Sequence, residues 1–251
     1  MSAIKNLYLI TGTTKGLGAA LSDVLVANEA NAVFSMSRFA QEHQGPSNIF
    51  VDFSKPESIE PAFENFVDAI AGQTFSQAVL INNAGVVAPV GPFTEINAAT
   101  LKTNLDVNLL APMMLMRLFA NATRAVASKR LIINISSGAA KRAVPGWAAY
   151  CTAKAGLEMA TRAAALEAST TNFDPSLQIC SLAPGVVDTP MQGQIREKTA
   201  HEFPDVERFR AMKNDGALRD AHDVARDIVS LIGQHRLTNG GNFDIRELLS
   251  N

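Results

Sequence analysis

The chain has 251 residues, of which 47% are hydrophobic and 18% are charged, a balance typical of a globular protein. A formal net charge of −2 and the lack of a basic run argue against nucleic acid or an anionic membrane as a partner. No apolar run reaches the roughly 18 residues that span a bilayer, and no signal-like region precedes the first apolar run, so we expect a soluble cytoplasmic protein.

Short apolar runs alternate with longer helical patterns along most of the chain. The predicted strands are Leu7–Ile10, Ala32–Met36, Ile49–Val51, Ala78–Ile81, Leu131–Ile135 and Leu177–Leu182. The predicted helices are Ala19–Ala27, Pro56–Ala71, Asn97–Ala127 and a segment that carries Tyr150 and continues to about Ala168. This alternation is typical of βαβ units, which build an α/β fold with a parallel sheet and helices on both faces. No repeat or linker divides the sequence, so we predict one domain over residues 1–251.

Glycine-rich or polar turns follow strand after strand, at the carboxyl edge where open α/β sheets bind ligands. The segment from about residue 190 to residue 220 breaks the alternation, because it is charged and irregular with a helical pattern. From its composition alone, this segment fits either a surface insertion or a lid over a site at that edge.

The turn after the first strand carries Gly12, Gly16 and Gly18 and leads into the first helix. Glycines let a pyrophosphate approach the backbone, and the free N–H groups of the following helix face the anion. The spacing is G-x-x-x-G-x-G rather than G-x-G-x-x-G, and glycines also end many βα turns for steric reasons. Directly after a first strand, the pattern predicts a dinucleotide site.

The residues after the second strand indicate which dinucleotide is bound. An acid at this point would hydrogen-bond the ribose 2′-hydroxyl of NAD. Here Ser37 and Arg38 follow the strand, the next acid is Glu42, and Lys15 lies in the glycine loop. Two cations would pair with a 2′-phosphate, although both could also be solvated surface residues. The pattern favours NADP over NAD.

Tyr150 and Lys154 lie four residues apart in an alanine-rich segment, so a helix would place both side chains on one face. An ammonium beside a phenol favours the phenolate, which predicts a pKa for Tyr150 below its usual value of about 10. A tyrosine tuned in this way can act as an acid or base near neutral pH. Ser137 closes the fifth apolar run and could hydrogen-bond the same substrate oxygen. The Tyr-x-x-x-Lys pair alone is common on helix surfaces, so the prediction depends on the other motifs.

Six motifs together resemble the short-chain dehydrogenase/reductase family over nearly the whole chain. They are the Thr11–Gly18 loop, Asn82–Gly85, Asn108, Ser137, Tyr150 with Lys154, and Pro184–Gly185. The resemblance implies a Rossmann doubly wound sheet of seven parallel strands in the order 3-2-1-4-5-6-7, with a last strand near Asn242–Ile245. It also implies an NAD(P)-dependent oxidoreductase of carbonyls or alcohols. A homodimer or homotetramer would form through the long helices Asn97–Ala127 and Trp147–Ala168.

The resemblance also implies a role for each matching residue. Tyr150 would donate a proton to the carbonyl oxygen that Ser137 holds. Lys154 would lower the tyrosine pKa and bind the nicotinamide ribose, and Asn108 would hold a water of a proton relay. The residues expected to bind the cofactor are Gly12, Thr14, Lys15, Gly16, Leu17, Gly18, Ser37, Arg38, Asp52, Phe53, Asn83, Ala84, Gly85, Tyr150, Lys154, Pro184, Gly185, Val187 and Thr189.

The stretch Ala183–Glu197 is similar to the branch of the family that contains sepiapterin reductase and benzil reductase. That branch uses NADPH and reduces ketones next to a second carbonyl, in agreement with Arg38. The resemblance makes residues 190–220 a substrate lid with Met191, Ile195, Phe203, Phe209 and Met212 as candidate pocket walls. For each wall residue, packing of the lid on the body is the competing role. Trp147 could face the substrate or fill the start of its helix, and Asp244 or Glu247 could stand where the branch anchors a pterin, although the local sequence differs.

We therefore expect an NADPH-dependent reductase that converts a ketone, such as a vicinal diketone or a sepiapterin-like carbonyl, to an alcohol. The alternatives are an NAD(P)-dependent alcohol dehydrogenase that works in the oxidative direction and a non-catalytic NADP sensor. A sensor would typically lack the serine, the tyrosine or the lysine, and this chain keeps all three. No metal site is expected, because the four histidines are scattered and the two cysteines form no CxxC pair: His43, His201, His222 and His235; Cys151 and Cys180.

Overall fold

The computed structural model describes residues 5–39, 47–170 and 174–250, so Glu42 and His43 lie outside the described residues. Its strands are β1 (Asn6–Thr11), β2 (Asn31–Ser37), β3 (Ser47–Phe50), β4 (Gln77–Asn82), β5 (Arg130–Ile135), β6 (Leu177–Ala183) and β7 (Asn242–Asp244). They form one parallel sheet in the order β3-β2-β1-β4-β5-β6-β7. The predicted strand order is therefore confirmed, including a last strand near residue 242.

Helices cover both faces of this sheet, as predicted. They are α1 (Gly16–Val26), α2 (Ile59–Ile70), α3 (Ala98–Leu105), α4 (Ala111–Ala122), α5 (Ala148–Ser169), α6 (Pro190–Arg196), α7 (Val206–Asn214), α8 (Ala221–Gly233) and α9 (Ile245–Leu249). One apolar core packs α1 and α8 on one face of the sheet, and the other packs α2, α4 and α5 on the opposite face. The central strands read as continuous apolar runs because they are buried on both faces.

The long helical stretch predicted over Asn97–Ala127 is present, but it contains a π-helical turn and ends at Ala122 rather than Ala127. It runs without interruption through α3, the π-helical turn at Asp106–Leu110, and α4. Pro112 has no N–H to give to the preceding turn, and the Ala111 N–H bonds Asp106 O five residues back. After Ala122 the chain leaves the helix, and the Val126 carbonyl accepts a hydrogen bond from Phe75 N at 2.7 Å.

Other differences concern element ends and two missed helices. The first helix starts at Gly16 rather than Ala19, and a 3₁₀ turn at Pro56–Ser58 precedes α2. The sequence analysis did not predict α8 or the short α9, and α8 is capped by the Asp220 carboxylate and packs against α1. Among the described residues, no helix combines the length and hydropathy that a membrane crossing requires.

Candidate active site

One cavity of about 430 Å³ lies at the carboxyl edge of the sheet, where the turns after β1, β2, β4, β5 and β6 meet. Every residue predicted to bind the cofactor lines this cavity, and so does Ser137. The lining residues that the sequence analysis missed are Ser54, Val86, Val87, Thr103, Val107, Ile135, Ser136, Pro190, Gln192 and Gln194. Most of them are sequence neighbours of a predicted motif, and this position is the feature from which the sequence could have identified them.

The glycine loop is shaped for close approach of a ligand to the backbone. Gly12 and Gly16 have φ angles of +71° and +62°, which side chains rarely tolerate. A Cβ on Gly18 would overlap the Gly12 carbonyl oxygen and the Asn83 amide, so no side chain fits there. The N-terminus of α1 has no side-chain cap and no acid in its first turn, so its free N–H groups can face an anion. The loop therefore fits a pyrophosphate.

Asn83 and Thr11 fix this loop to the end of β4. The Asn83 side-chain amide donates to the carbonyls of Thr11 at 2.9 Å and Gly12 at 3.1 Å. The Thr11 hydroxyl accepts from the backbone N–H groups of Asn83 and Ala84, each at 2.9 Å. Because its amide is used in this way, Asn83 contributes to the cavity chiefly by holding the glycine loop in shape.

The far end of the cavity carries the residues predicted to read the adenosine. Arg38 and Lys15 are exposed on its rim, and the Arg38 guanidinium lies 5.8 Å from the Phe39 ring centroid. Burial opposes ionisation of Asp52, but hydrogen bonds from the N–H and hydroxyl of Ser54 outweigh it and hold the pKa of Asp52 below its ordinary value. The positive charge of Arg38 lowers the pKa of Asp52 further.

At the other end, α5 places Tyr150 and Lys154 on one face, one turn apart, beside the end of β5. Both side chains are buried, with exposed fractions of 7% and 4%. The Lys154 Nζ donates to the Ile135 carbonyl at 2.8 Å and lies 5.8 Å from the Tyr150 ring centroid. The Ser137 hydroxyl hydrogen-bonds Tyr150 and accepts from the Ala139 N–H at 3.2 Å. Serine and tyrosine hydroxyls thus meet at one point of the cavity wall.

The predicted fall in the pKa of Tyr150 is wrong. Burial raises the pKa of Tyr150 to about 12, although the hydrogen bond with Ser137 acts in the opposite direction. Burial also lowers the pKa of Lys154 to about 8. Burial away from water destabilises the charged form of each group. The Lys154 ammonium donates to the Ile135 carbonyl rather than to the phenol oxygen. Near neutral pH, Tyr150 therefore holds its proton.

Asn108 lies in the π-helical turn and does not line the cavity directly. Its side-chain oxygen accepts from Val86 N at 3.0 Å, and its side-chain nitrogen donates to Val86 O at 2.8 Å. A Cβ on Gly85 would lie 3.0 Å from the Asn108 Oδ1 and 3.9 Å from the Lys154 Nζ. Asn108 and Lys154 therefore flank Gly85, and the role of Asn108 in a proton relay stays a prediction.

An aromatic cluster forms the wall around Tyr150. Trp147 stacks on Phe203 with ring centroids 4.9 Å apart and meets Tyr150 edge-on at 5.6 Å. Phe209 packs edge-on against both Trp147 and Phe203. Of the predicted pocket walls, Met191 and Ile195 line the cavity with Trp147, whereas the remaining three do not: Phe203, Phe209 and Met212. Phe203 and Phe209 instead pack this segment onto the body of the protein.

A Lys154→Met variant of the ligand-free protein is expected to be more stable than the wild type near pH 7 by about 1–2 kcal/mol. The pKa of Lys154 is lowered from 10.5 to about 8, so the folded state holds this proton less tightly than the unfolded chain does. The cost is present in full below the folded pKa, declines as the pH rises through this window, and is absent above 10.5. Loss of the hydrogen bond to Ile135 offsets part of the gain.

Urea unfolding of the wild type and of Lys154→Met near pH 7 and near pH 9.5 measures the difference in stability. At both pH values Tyr150 stays mostly protonated in the folded and in the unfolded chain, so its own titration adds little. The advantage of Lys154→Met should shrink at the higher pH. Lys129→Met, at an exposed lysine, is the matched control and should show no such trend. The lowered pKa of Lys154 would be contradicted if Lys154→Met were less stable than the wild type near pH 7. It would also be contradicted if the variant were more stable by the same amount at both pH values.

No group of three or more His, Cys, Asp or Glu side chains is placed to hold a metal ion in the part of the chain that the structure describes. The sequence profile of the family described as short chain dehydrogenase matches residues 6–200. This match covers more than half of the chain.

Two relatives and one solved structure align along nearly the full chain. Benzil reductase ((S)-benzoin forming) of Bacillus subtilis (strain 168) is 35% identical over 245 residues, which cover 97% of this chain and 99% of that protein. Sepiapterin reductase of Rattus norvegicus is 25% identical and covers 96% of both chains. The crystal structure of the KRED1-Pglu enzyme is similar with a TM-score of 0.82 and 28% identity, over 95% of this chain and all of the other.

Proposed function

The chain belongs to the short-chain dehydrogenase family of oxidoreductases, and from this premise we propose that it is an NADPH-dependent reductase of ketones. The observation that carries the proposal is one cavity with Ser137, Tyr150 and Lys154 at one end and Lys15 and Arg38 at the other. The first group fits protonation of a carbonyl oxygen, and the second fits a 2′-phosphate. The similarity to benzil reductase supports a ketone as the substrate.

The residues of the cavity fit a nicotinamide dinucleotide. The bare backbone at Gly12 and Gly18 and the uncapped N-terminus of α1 would hold the pyrophosphate. Arg38 and Lys15 would pair with the 2′-phosphate of NADPH, because neither of the two described residues directly after β2, Arg38 and Phe39, is an acid that would favour a free hydroxyl. When bound, the reduced nicotinamide supplies the hydride, and the protein supplies alignment and the proton.

Tyr150 acts as the proton donor in this proposal. Its raised pKa keeps the phenol protonated near neutral pH, which is the form that a reduction requires. Ser137 holds the carbonyl oxygen by a hydrogen bond and orients the phenol toward it. The Lys154 ammonium, with a pKa of about 8, remains largely charged near pH 7 and stabilises the phenolate that the proton transfer leaves behind.

Residues 190–220 form the substrate lid in this proposal, as part of one domain over residues 1–251. Met191 and Ile195 face the cavity, and the aromatic cluster of Trp147, Phe203 and Phe209 anchors the segment. We also propose a homodimer or homotetramer through α4 and α5. Support comes from apolar side chains that these helices leave exposed, namely Met113, Met159 and Leu166.

Consumption of NADPH by the purified protein tests the function, with benzil, other vicinal diketones and sepiapterin as substrates and with NADH in parallel. We expect turnover of at least one diketone with NADPH and a much lower kcat/KM with NADH. NADPH binding without turnover of any ketone would overturn the proposal. Oxidation of alcohols with NADP⁺ would then identify a dehydrogenase that works in the other direction.

A further inference from the structure

One buried acidic side chain near the cavity takes no part in the chemistry proposed above. Glu158 lies on α5 and has an exposed fraction of 7%. Its Oε1 accepts a hydrogen bond from the Ser136 hydroxyl at 2.7 Å, and its Oε2 accepts one from the Asn242 side-chain amide at 3.2 Å. Both partners are neutral groups, so neither bond is an ion pair. Burial of a carboxyl group costs free energy that an apolar side chain would avoid, which indicates a role beyond packing.

Glu158 continues a line of polar side chains on the face of α5 that meets the end of β5. Tyr150, Lys154 and Glu158 follow one another at intervals of four residues, so each lies one helical turn beyond the last. Their partners occupy three consecutive positions at the end of β5 and directly after it. In the same order, these partners are the Ser137 hydroxyl, the Ile135 carbonyl and the Ser136 hydroxyl. The first two contacts belong to the reacting end of the cavity, and the third holds the same helix one turn farther along.

The apolar contacts of α5 define its position along the sheet only weakly, because most of its buried aliphatic side chains are alanines. These side chains are Ala149, Ala153, Leu157, Ala165 and Ala168. Apolar contact is not directional, and a methyl group has little shape with which to lock one position. A hydrogen bond is directional and has a narrow range of lengths. The polar contacts therefore have the larger part in fixing where α5 lies along β5.

Ser136 is a firm anchor for such a contact. Its N–H donates to the Leu182 carbonyl at 2.9 Å, which extends the pairing of β5 with β6 by one residue. Its exposed fraction is 3%, so bulk water is not a ready substitute for the carboxylate. The second partner, Asn242, lies in β7. Glu158 therefore ties α5 to the sheet at two points, and one of them directly precedes Ser137.

We propose that Glu158 is a positioning residue for the reaction, which holds α5 at the place along β5 where the Tyr150 hydroxyl meets the Ser137 hydroxyl. This inference rests on the proposed reductase function. Ser137 follows the anchor directly, and Tyr150 lies two helical turns before Glu158. Loss of the Glu158 contact lets α5 shift, whereas the glycine loop stays in place because Thr11 and Asn83 hold it. A misplacement of about 1 Å at a reacting group costs roughly 10²-fold in rate.

Two substitutions at Glu158 separate its hydrogen bonds from the space that it fills. Glu158→Met has a similar size and removes both acceptors. We expect its kcat for benzil to fall about 10- to 100-fold, while the KM for NADPH changes by less than about 3-fold. Glu158→Gln keeps an oxygen that accepts from Ser136, and a turn of the Asn242 side chain brings its Oδ1 to the new amide N–H. This Oδ1 has no partner among the described residues in the wild type, so Glu158→Gln should keep kcat within about 3-fold.

The matched control is Glu167→Met, at an exposed glutamate of the same helix, which should leave kcat unchanged. Ser136→Ala removes the same hydrogen bond from the other side and keeps the test open if Glu158→Met does not fold. Its kcat should also fall, and the double variant of Ser136→Ala and Glu158→Met should be no slower than the slower single variant. Losses that multiply in the double variant would show that the two residues act independently, which would overturn the proposal.

A measurement without turnover separates this inference from the reductase function. The chain has two tyrosines, so labelling with ¹³Cζ-tyrosine gives one NMR signal for Tyr8 and one for Tyr150. Glu158→Met should move the Tyr150 signal toward its position in Ser137→Ala, because the two hydroxyls no longer meet, and should leave the Tyr8 signal in place. Glu158→Gln should leave both signals in place. If the wild type reduced no ketone while this pattern held, only the reductase function would fail.

Three results would overturn the positioning role of Glu158. The first is an unmoved Tyr150 signal or an unchanged kcat in Glu158→Met. The second is an equal loss of kcat in Glu158→Gln and Glu158→Met, which would assign the effect to something other than the hydrogen bonds. The third is a loss that appears in the KM for NADPH rather than in kcat, because the proposal leaves the glycine loop in place.

Discussion

A Tyr150→Phe variant is expected to reduce ketones about 10³-fold more slowly than the wild type while it retains its fold and binds NADPH. The change removes only the hydroxyl that hydrogen-bonds Ser137. The ring can keep its edge-on contact with Trp147 and its place near the Lys154 ammonium. Water is a poor replacement for the phenol, because the side chain it would have to replace is buried. The loss should therefore appear in kcat.

The measurement is kcat at saturating NADPH and ketone, together with thermal unfolding and NADPH titration. Tyr8→Phe is the matched control, because Tyr8 is the other tyrosine of the chain, is also buried, and lies in β1 away from the cavity lining. Tyr8→Phe should retain turnover even where it loses some stability. If Tyr150→Phe kept more than about a tenth of the wild-type kcat, the proton would have to come from another group.

The strands could be predicted from the sequence because a parallel sheet covered on both faces needs continuous apolar runs. The π-helical turn within the long helical stretch after Asn97 could not, because it depends on Pro112, which lacks an N–H to donate to the preceding turn. The helical pattern of apolar residues continues through a π-helical turn, since such a turn adds one residue without ending the helix.

The place of the candidate site could be predicted from motifs, because each motif ends a strand and parallel strands end at one edge. The ionisation of Tyr150 could not be predicted from its spacing to Lys154. Spacing on a helix reports that two side chains share a face, but the pKa depends on burial and on where the ammonium points. Burial dominates here, and the Ile135 carbonyl receives the Lys154 hydrogen bond.

The substrate end of the site was the least predictable part. Phe203 and Phe209 carry the same apolar character as Ile195, but only Ile195 lines the cavity. Which residues of an irregular segment face a cavity depends on how its short helices dock, and that is decided by contacts distant in sequence.

An Arg38→Asp variant is expected to raise the KM for NADPH by about 10²- to 10³-fold and to change the KM for NADH by less than about 3-fold. In the proposal, Arg38 pairs with the 2′-phosphate, which NADH lacks. The substitution replaces a charge-assisted hydrogen bond with repulsion between two anions. The exposed position of Arg38 makes the substitution tolerable for the fold. Lys15 also lies on the rim and would still attract the 2′-phosphate in the variant. This remaining attraction is the reason for the lower end of the expected rise in KM.

Side-by-side kcat/KM values for the two cofactors at low ionic strength measure the effect, because salt screens exposed charges. Arg226→Asp, on the exposed face of α8, makes the same change of charge outside the cavity lining and is the control for a general electrostatic effect. Arg38→Asp should reverse or abolish the cofactor preference, whereas Arg226→Asp should leave it in place. An unchanged ratio in Arg38→Asp would mean that other cations, first Lys15, read the phosphate. Equal weakening of NADPH and NADH would instead assign Arg38 to the adenosine that both cofactors share.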